Sequence, residues 1–437
     1  MKIGIDSEIG PLERVLVHRP GEEIVRMTQH ELERMLFDDI LAPDETVAEH
    51  DLMTEIMTEA GASVLRLHDL LVEALLAASA SERTALVHRV CEHEGAQGVA
   101  DHMQAWSAQR LANGLIHGVG WDELEGLPPS LARIRAAAEP HAVRFAVPPL
   151  PNLMFMRDPC ITIYDRVVVG RMASPARARE AWVVSFALRH APSARVPLCF
   201  ESDDSSRAAR FRSLEGGDVL VLSPSAVMIG CSQRTTAQTI QRLAEEALFP
   251  LHPRLQRVYA VLMPEARSIM HLDTILTQID RGLFLGHQPL LLGHGGRPGL
   301  SVARLERGRP PRACAGASAL DALRDELGPD TRLVPCGGDD PLHQEREQWT
   351  DGANAVAVGP GHIILYARNT HTIRALAHHG FEEVRVSVSQ PALQRRVVIA
   401  EGLAKPRAVF SFSGSELSRA RGGGRCLTMP LARAALD

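Results

Sequence analysis

The sequence predicts an α/β fold in which similar strand–strand–helix units pack side by side around a shared axis. One layout, an acid followed by two β-rich runs and a helical pattern, recurs in residues 155–188, 214–248 and 349–380. A fourth stretch, residues 270–287, has the acid and both β-rich runs without a clear helix. The turns SPS, GPG and DR between valine- and isoleucine-rich runs are typical of hairpins. Residues 10–20 and 408–426 look like further, degenerate copies.

The repeat predicts where polar residues meet. Each unit in such a ring places the start of its strands at the same end, so the acids that precede these strands are expected to converge on one central site. The polar residues at these starts are Asp158, Glu215 with Asp218, Asp273, and Asp351 with Asn354.

Residues 72–140 interrupt the repeat. This stretch is rich in alanine, leucine and arginine at helical spacing and has no strand pattern. We therefore expect an all-helical insertion domain at 72–140, with residues 1–71 and 141–437 forming the repeated α/β body.

Composition excludes several classes of protein. The chain of 437 residues has 47 Lys+Arg against 53 Asp+Glu and a net charge of −6, which argues against a nucleic-acid or anionic-membrane partner. With only Lys2 and Lys405 as lysines, a phosphate-binding GxxxxGK[ST] loop is absent. No signal peptide or membrane-length apolar run is seen, which predicts a cytoplasmic protein. The seven cysteines include no CxxC, as expected for reduced thiols.

Four groups of residues could carry chemistry. Cys426 follows a triple glycine flanked by Arg421 and Arg425, and nearby cations favour a thiolate, although a small buried hydrophobe is the alternative. His271 and Asp273 are two residues apart, so along a strand they face the same way; an ordinary histidine at a strand edge is the alternative. Glu215 with Asp218, and Asp158, could equally be turn or salt-bridge residues.

The sequence predicts neither a metal nor a cofactor. His88, Cys91 and His93 fall in the helical stretch without a second pair of ligands, and HELER at 30–34 lacks the second histidine of a zinc protease motif. One thiol, one histidine and several carboxylates suit a planar cation instead, because a guanidinium pairs with two carboxylates. Together these residues favour cleavage of a C–N bond in a guanidine.

Eight motifs in order carry a resemblance to a known family. They are GPLERVLVHRPG, MLFDDIL, PPLPNLMFMRDP, LEGGDVL, MHLDT, EREQWTDGANAVAV, YARNTHT and GSELSRARGGGRCLTMPL. With these motifs the chain resembles arginine deiminase from end to end. The resemblance implies a five-bladed ββαβ pseudo-symmetric propeller with a helical insertion. It also implies hydrolysis of L-arginine to L-citrulline and ammonia through a cysteine-bound amidino-thioether, and it implies a homo-oligomer, either a dimer or a tetramer.

The resemblance also implies a role for each matching residue. Cys426 would be the nucleophile and His271 the general acid and base. Asp158 and Asp273 would bind the guanidinium, and Glu215 would support His271 and the substrate. The residues implied to contact the rest of the substrate are Asn152, Phe155, Arg177, Arg234 and Arg421, the last as a loop arginine that closes over it. The sequence departs from the family pattern at three positions, Met154, Met156 and Ala420.

Other functions stay open at this point. An amidinotransferase, or a hydrolase for agmatine or methylated arginine, would use a similar site. Arg177 and Arg234 argue against agmatine, because two cations suit a carboxylate that agmatine lacks. A non-catalytic arginine-binding protein is the alternative from another class.

Overall fold

The computed structural model describes residues 3–124, 126–127, 131–139, 144–201, 212–294, 297–314 and 316–436. Its strands are β1 (Leu12–Val17), β2 (Ser63–Arg66), β3 (Val119–Gly120), β4 (Phe145–Val147), β5 (Cys160–Ile163), β6 (Arg166–Val169), β7 (Leu198–Cys199), β8 (Val219–Ser223), β9 (Ala226–Cys231), β10 (Arg257–Leu262), β11 (Leu276–Asp280), β12 (Leu283–Gly286), β13 (Gly293–His294), β14 (Arg297–Pro298), β15 (Val302–Glu306), β16 (Arg312–Ala313), β17 (Arg332–Pro335), β18 (Val356–Gly359), β19 (His362–Tyr366), β20 (Glu382–Arg385), β21 (Ala408–Phe412) and β22 (Met429–Arg433).

Helices lie between these strands, which makes the fold mixed α/β. They are α1 (Glu22–Val25), α2 (Leu32–Met35), α3 (Pro43–Glu59), α4 (Leu67–Ala77), α5 (Ala80–His93), α6 (Gln97–Gln104), α7 (Ala108–His117), α8 (Leu131–Ala138), α9 (Ala178–His190), α10 (Ala237–Arg242), α11 (Phe249–Leu251), α12 (Gln288–Leu292), α13 (Ala319–Leu327), α14 (Pro341–Trp349), α15 (Thr370–Ala377), α16 (Ala392–Leu403) and α17 (Ser415–Arg419). None of the helices in the described part of the chain has both the length and the hydrophobicity of a membrane span.

Five sheets share one order of strands. In each, an antiparallel pair is extended by a strand parallel to its second member: β5–β6–β7, β8–β9–β10, β11–β12–β17, β18–β19–β21 and β22–β1–β2. At least one helix separates the two parallel strands along the chain in every case. The C-terminal strand β22 thus completes a unit with β1 at the N-terminus, so both ends of the chain meet in one sheet.

The predicted hairpins form where the sequence places them. β8–β9 turns at SPS and β18–β19 at GPG, and Gly361 takes a φ of +73°, which glycine adopts readily. The unit that begins with residues 270–287 differs from the prediction, because two helices, α12 and α13, follow its hairpin before β17. These helices lie after residue 287, beyond the stretch in which no helix pattern was found.

The stretch 72–140 holds most of α4 and all of α5, α6, α7 and α8, but it also contains β3. β3 is only two residues long and pairs with β4, so it forms by tertiary pairing and leaves no sequence pattern. α4 packs against α9, and both belong to a hydrophobic cluster that also includes buried residues of α5 and α7. These helices of the 72–140 stretch therefore share a hydrophobic core with β5, β6 and α9.

Candidate active site

The predicted site residues lie at the starts of strands in different units. Asp158 precedes β5, Glu215 precedes β8, Asp273 precedes β11 and Cys426 precedes β22. Short 3₁₀ turns at Gly216–Asp218 and Leu272–Thr274 lead into two of these strands. The structure brings these side chains, together with His271, into one buried group.

Cys426 faces a carboxylate. Its Sγ lies 3.8 Å from Oδ2 and 3.9 Å from Oδ1 of Asp273. Asn354 fixes this geometry, because its Oδ1 accepts from the Cys426 amide at 3.1 Å and its Nδ2 donates to the Asp273 carbonyl at 2.9 Å. A Cβ on Gly423 would lie 2.6 Å from the Asn354 carbonyl oxygen, so a glycine is needed here for the loop to approach.

Burial and the surrounding acids keep the Cys426 thiol neutral. Burial raises the pKa of Cys426 well above its ordinary value, and the charges of Asp273, Asp158 and Asp351 raise it further, while Arg425 opposes them. A cation bound among these carboxylates would reverse their effect on the thiol. The site is therefore poised to form a thiolate when a cationic ligand is present.

His271 is held between two acids. Its Nε2 lies 2.9 Å from Glu215 Oε2, and its Nδ1 lies 3.8 Å from Asp158 Oδ1. Burial alone would lower the pKa of His271, but Asp158 and the hydrogen bond with Glu215 raise it to about 9. A Cβ on Gly217 would lie 2.7 Å from the His271 ring, which explains the second glycine of LEGGD. At neutral pH His271 is an imidazolium that can donate a proton.

Arg177 is fully engaged by carboxylates. Its Nε and Nη2 bind the buried Glu180 at 3.0 and 2.8 Å. Its Nη1 lies 2.9 Å from Asp158 Oδ2 and 3.7 Å from Glu215 Oε2. Glu180 was not singled out in the sequence, although its spacing of three residues from Arg177 in SPARARE suits a helical ion pair. To bind a substrate carboxylate, Arg177 would have to give up Asp158.

The remaining predicted contact residues line the same cavity. Arg234 Nη1 lies 3.7 Å from Glu215 Oε1, and Asn152 Nδ2 donates to the Met35 carbonyl at 2.5 Å. The cavity is lined by Leu36, Asp38, Asn152, Phe155, Asp158, Arg177, Arg234, Arg267, Met270, His271, Thr274, Ala420, Arg421 and Cys426. The predicted residues that do not line it are Glu215, Asp218, Asp273, Asp351 and Asn354. Of these, Glu215 holds His271 and Asp273 faces Cys426. The lining residues that were not predicted from the sequence are Leu36, Asp38, Arg267, Met270 and Thr274.

One group of residues has the spacing of metal ligands. Possible ligand atoms of Asp158, Glu215 and His271 lie within 4.8 Å of one another. Among the described residues, this is the one group with such a spacing. These atoms already have partners, since His271 pairs with Glu215 and Arg177 binds Asp158. The negative charges of Asp158 and Glu215 are therefore balanced by the guanidinium of Arg177 and the imidazolium of His271.

Fold and site together define a class of protein: an α/β protein that gathers a cysteine, a histidine, carboxylates and arginines at one cavity. Residues 33–433 match the family model described as arginine deiminase. The arginine deiminase of Listeria welshimeri is 37% identical over 444 residues, covering 99% of this chain and 98% of that one. That of Bacillus cereus is 32% identical with the same coverage. The chain belongs to the arginine deiminase family.

A solved structure agrees at the level of the fold. An amidinotransferase from the saxitoxin biosynthetic pathway of Microseira wollei matches with a TM-score of 0.52 and 14% identity, covering 99% of this chain and 98% of that one. This likeness supports the mixed α/β architecture described above.

Proposed function

We propose that this protein hydrolyses L-arginine to L-citrulline and ammonia, with Cys426 as nucleophile and His271 as general acid and base. The observation that carries the proposal is one buried group in which the Cys426 thiol lies 3.8 Å from the Asp273 carboxylate, while His271, whose pKa its neighbouring acids raise to about 9, lines the same cavity as Cys426. Membership of the arginine deiminase family supports the same activity.

The carboxylates provide the binding energy and orientation for the guanidinium. Asp273 lies against the thiol and Asp158 lines the same cavity, and the two bind the planar cation through paired hydrogen bonds. The bound positive charge offsets the acids that raise the pKa of Cys426, so the thiol loses its proton once substrate is present. Binding of the substrate thus converts the Cys426 thiol into the thiolate that attacks the guanidinium carbon.

The reaction then proceeds in two halves. The thiolate forms a bond to the guanidinium carbon, His271 gives its proton to the departing nitrogen, and the C–N bond breaks to release ammonia. His271, now neutral, takes a proton from water as the water oxygen adds to the same carbon. The C–S bond then breaks with its electron pair passing to the sulfur, and the hydroxyl proton moves to that sulfur, where it replaces the proton that the thiol released to solvent before the attack; citrulline leaves with a neutral Cys426 thiol and a protonated His271 restored.

The other end of the substrate meets cations. Arg177, Arg234 and Arg421 line the cavity, and they suit the carboxylate of an α-amino acid, with Asn152 and Phe155 as further contacts. Arg177 exchanges Asp158 for this carboxylate while it keeps its fork to Glu180. Substrate binding therefore frees Asp158 for the guanidinium.

The function is tested by incubating the purified protein with arginine and measuring citrulline and ammonia. We expect the two products in equal amounts, with agmatine, which lacks the carboxylate, turned over far more slowly. Added glycine should not change the ammonia yield, whereas an amidinotransferase would form guanidinoacetate from glycine. Binding of arginine without release of ammonia would contradict the proposal and would fit a non-catalytic binding protein.

The raised pKa of the thiol predicts how its reactivity depends on pH. In the substrate-free protein we expect iodoacetamide to alkylate Cys426 slowly at pH 7 and faster as the pH rises. The reactive form is the thiolate, and the raised pKa of Cys426 keeps the thiol protonated at pH 7. Mass spectrometry of the peptide that contains Cys426 gives the rate at each pH. A rate that is already maximal at pH 7 would contradict the role of the surrounding acids.

We also propose that the five similar sheets close into a five-bladed propeller, with residues 72–140 as an insertion domain. The shared order of strands, and the pairing of β22 with β1 across the two chain ends, support a closed ring. The dimer or tetramer and the lack of a nucleic-acid partner stay predictions.

A further inference from the structure

Arg421 lies flat on an indole ring. Its guanidinium carbon is 3.4 Å from the ring centroid of Trp349, the last residue of α14. Arg421 has a φ of +68° and lies two residues beyond the end of α17, in the loop that leads to Cys426. Two segments more than 70 residues apart in sequence thus meet at the rim of the cavity.

The in-plane donors of Arg421 are largely unused. Its Nε and Nη1 are buried and make no hydrogen bond to the residues that the structure describes. The ion pair recorded for it is a long one, with Nη1 3.8 Å from Asp38 Oδ2. Burial lowers the pKa of Arg421 more than Asp351 and Asp38 raise it. A buried guanidinium with free donors is unfavourable unless another attraction holds it or a ligand completes it.

Stacking on an aromatic ring supplies such an attraction without using the donors. The face of an indole attracts a cation, and the N–H groups of the guanidinium then point outward in its own plane. An ion pair would instead occupy those N–H groups. The acids near Arg421 could form one, since Asp351 Oδ2 is buried and has no hydrogen-bond partner among the described residues.

We propose that Trp349 is a positioning residue that holds the Arg421 guanidinium at the rim of the cavity with its donors free to bind the substrate carboxylate. Without the indole, Arg421 pairs with Asp38 or Asp351 and is lost to the substrate. The proposal rests on the proposed function, because it assigns the carboxylate of an α-amino acid as the ligand of Arg421. It adds to that function a residue that touches neither the reacting carbon nor the thiol.

The first experiment compares Trp349→Leu, which removes the aromatic face, with Trp349→Phe, which keeps part of it. We expect Trp349→Leu to raise KM for arginine about 10-fold, the loss of one well-placed cation–π contact, with kcat within about 2-fold. Trp349→Phe should recover most of this loss. Trp106→Leu is the matched control, because Arg110 stacks on Trp106 at 4.2 Å in the helical stretch away from the site, and it should leave KM unchanged.

The second experiment measures binding without turnover, in the Cys426→Ala background. Arginine should change the indole fluorescence as its carboxylate binds the Arg421 guanidinium that is stacked on the ring, and the change should vanish when Trp349 is also replaced by leucine. The dissociation constant for arginine should rise about 10-fold in that double variant, whereas the constant for agmatine should not.

Each result decides between roles. An equal loss of affinity for arginine and agmatine, or a loss only in kcat, would overturn the assignment, because neither depends on a carboxylate. A Trp349→Leu variant with unchanged affinity for arginine would overturn it as well. Failure of the proposed function shows itself separately, as absent citrulline in the unaltered protein, while the binding measurements still test Trp349.

Discussion

Replacement of Cys426 by alanine is expected to abolish citrulline formation, with kcat reduced by about 10⁴-fold or more, while arginine still binds. The thiol has no substitute in the site, because the groups around it are carboxylates, the amide of Asn354 and a protonated histidine. Loss of a covalent nucleophile typically removes this much activity. Citrulline assays give the rate, and calorimetry with arginine gives the affinity.

The alanine variant should also remain folded. Cys426 is buried, but alanine removes only its sulfur and keeps the backbone amide that donates to Asn354. Cys314→Ala is the matched control, since that free thiol is only partly buried and packs on a hydrophobic cluster that contains none of the residues assigned to the site. Turnover that survives in Cys426→Ala, or that is lost equally in Cys314→Ala, would refute the assignment of the nucleophile.

The sequence predicted those parts of the site that repeat with the fold. Asp158, Glu215 and Asp273 could be placed because each precedes a strand in a recognisable unit, and strand starts of similar units meet at one end. The hairpins could be predicted for the same reason, from valine- and isoleucine-rich runs and their turns. Cys426 could be placed only through its glycine-rich loop and the resemblance.

The residues that were missed act through partners far away in sequence. Trp349 ends a helix whose pattern gives no sign that Arg421 will stack on it, and Asp38 meets Arg421 only after folding. Glu180 could be read as an ordinary helical charge until the structure showed it buried against Arg177. The same limit applies to β3, a two-residue strand that exists because β4 is beside it.

The charge state of the site was also beyond the sequence. Arginines flanking a cysteine suggested a stabilised thiolate, but Arg425 binds Glu8 and Asp273, and Arg421 stacks on Trp349. The acids, together with burial, then dominate and raise the pKa of the thiol. Which charges face a group depends on side-chain directions that only the folded structure fixes.

Asp273→Asn is expected to lower kcat/KM for arginine about 10³-fold. In the substrate-free protein, the same change is expected to make the Cys426 thiol more reactive toward alkylation. The amide keeps the shape of the side chain but removes one of the two charges proposed to bind the guanidinium. Truncation of one partner in a buried charged pair costs about 2–5 kcal/mol, which brackets this loss. Steady-state kinetics with arginine measures it.

The thiol should respond in the opposite direction. Burial, followed by the charge of Asp273, raises the pKa of Cys426, so removal of that charge lowers this pKa. Below the pKa a larger fraction of the thiol is then ionised, and alkylation of the substrate-free variant at pH 7 should be faster than in the unaltered protein. Slower catalysis with a more reactive nucleophile would show that Asp273 acts through charge on both substrate and sulfur.

Structural damage must be separated from this effect, because Asp273 also binds the buried Arg425 at 2.9 Å. Arg425 keeps Glu8 as a partner in Asp273→Asn, so the fold should persist with a modest fall in Tm. Asp280→Asn is the matched control. It removes an acid that lies away from the cavity, where its Oδ2 accepts a hydrogen bond of 2.7 Å from Arg407. It should alter neither kcat/KM nor the alkylation of Cys426. If Asp273→Asn slows both turnover and alkylation, the carboxylate does not set the charge state of the thiol, and the substrate-induced thiolate must be abandoned.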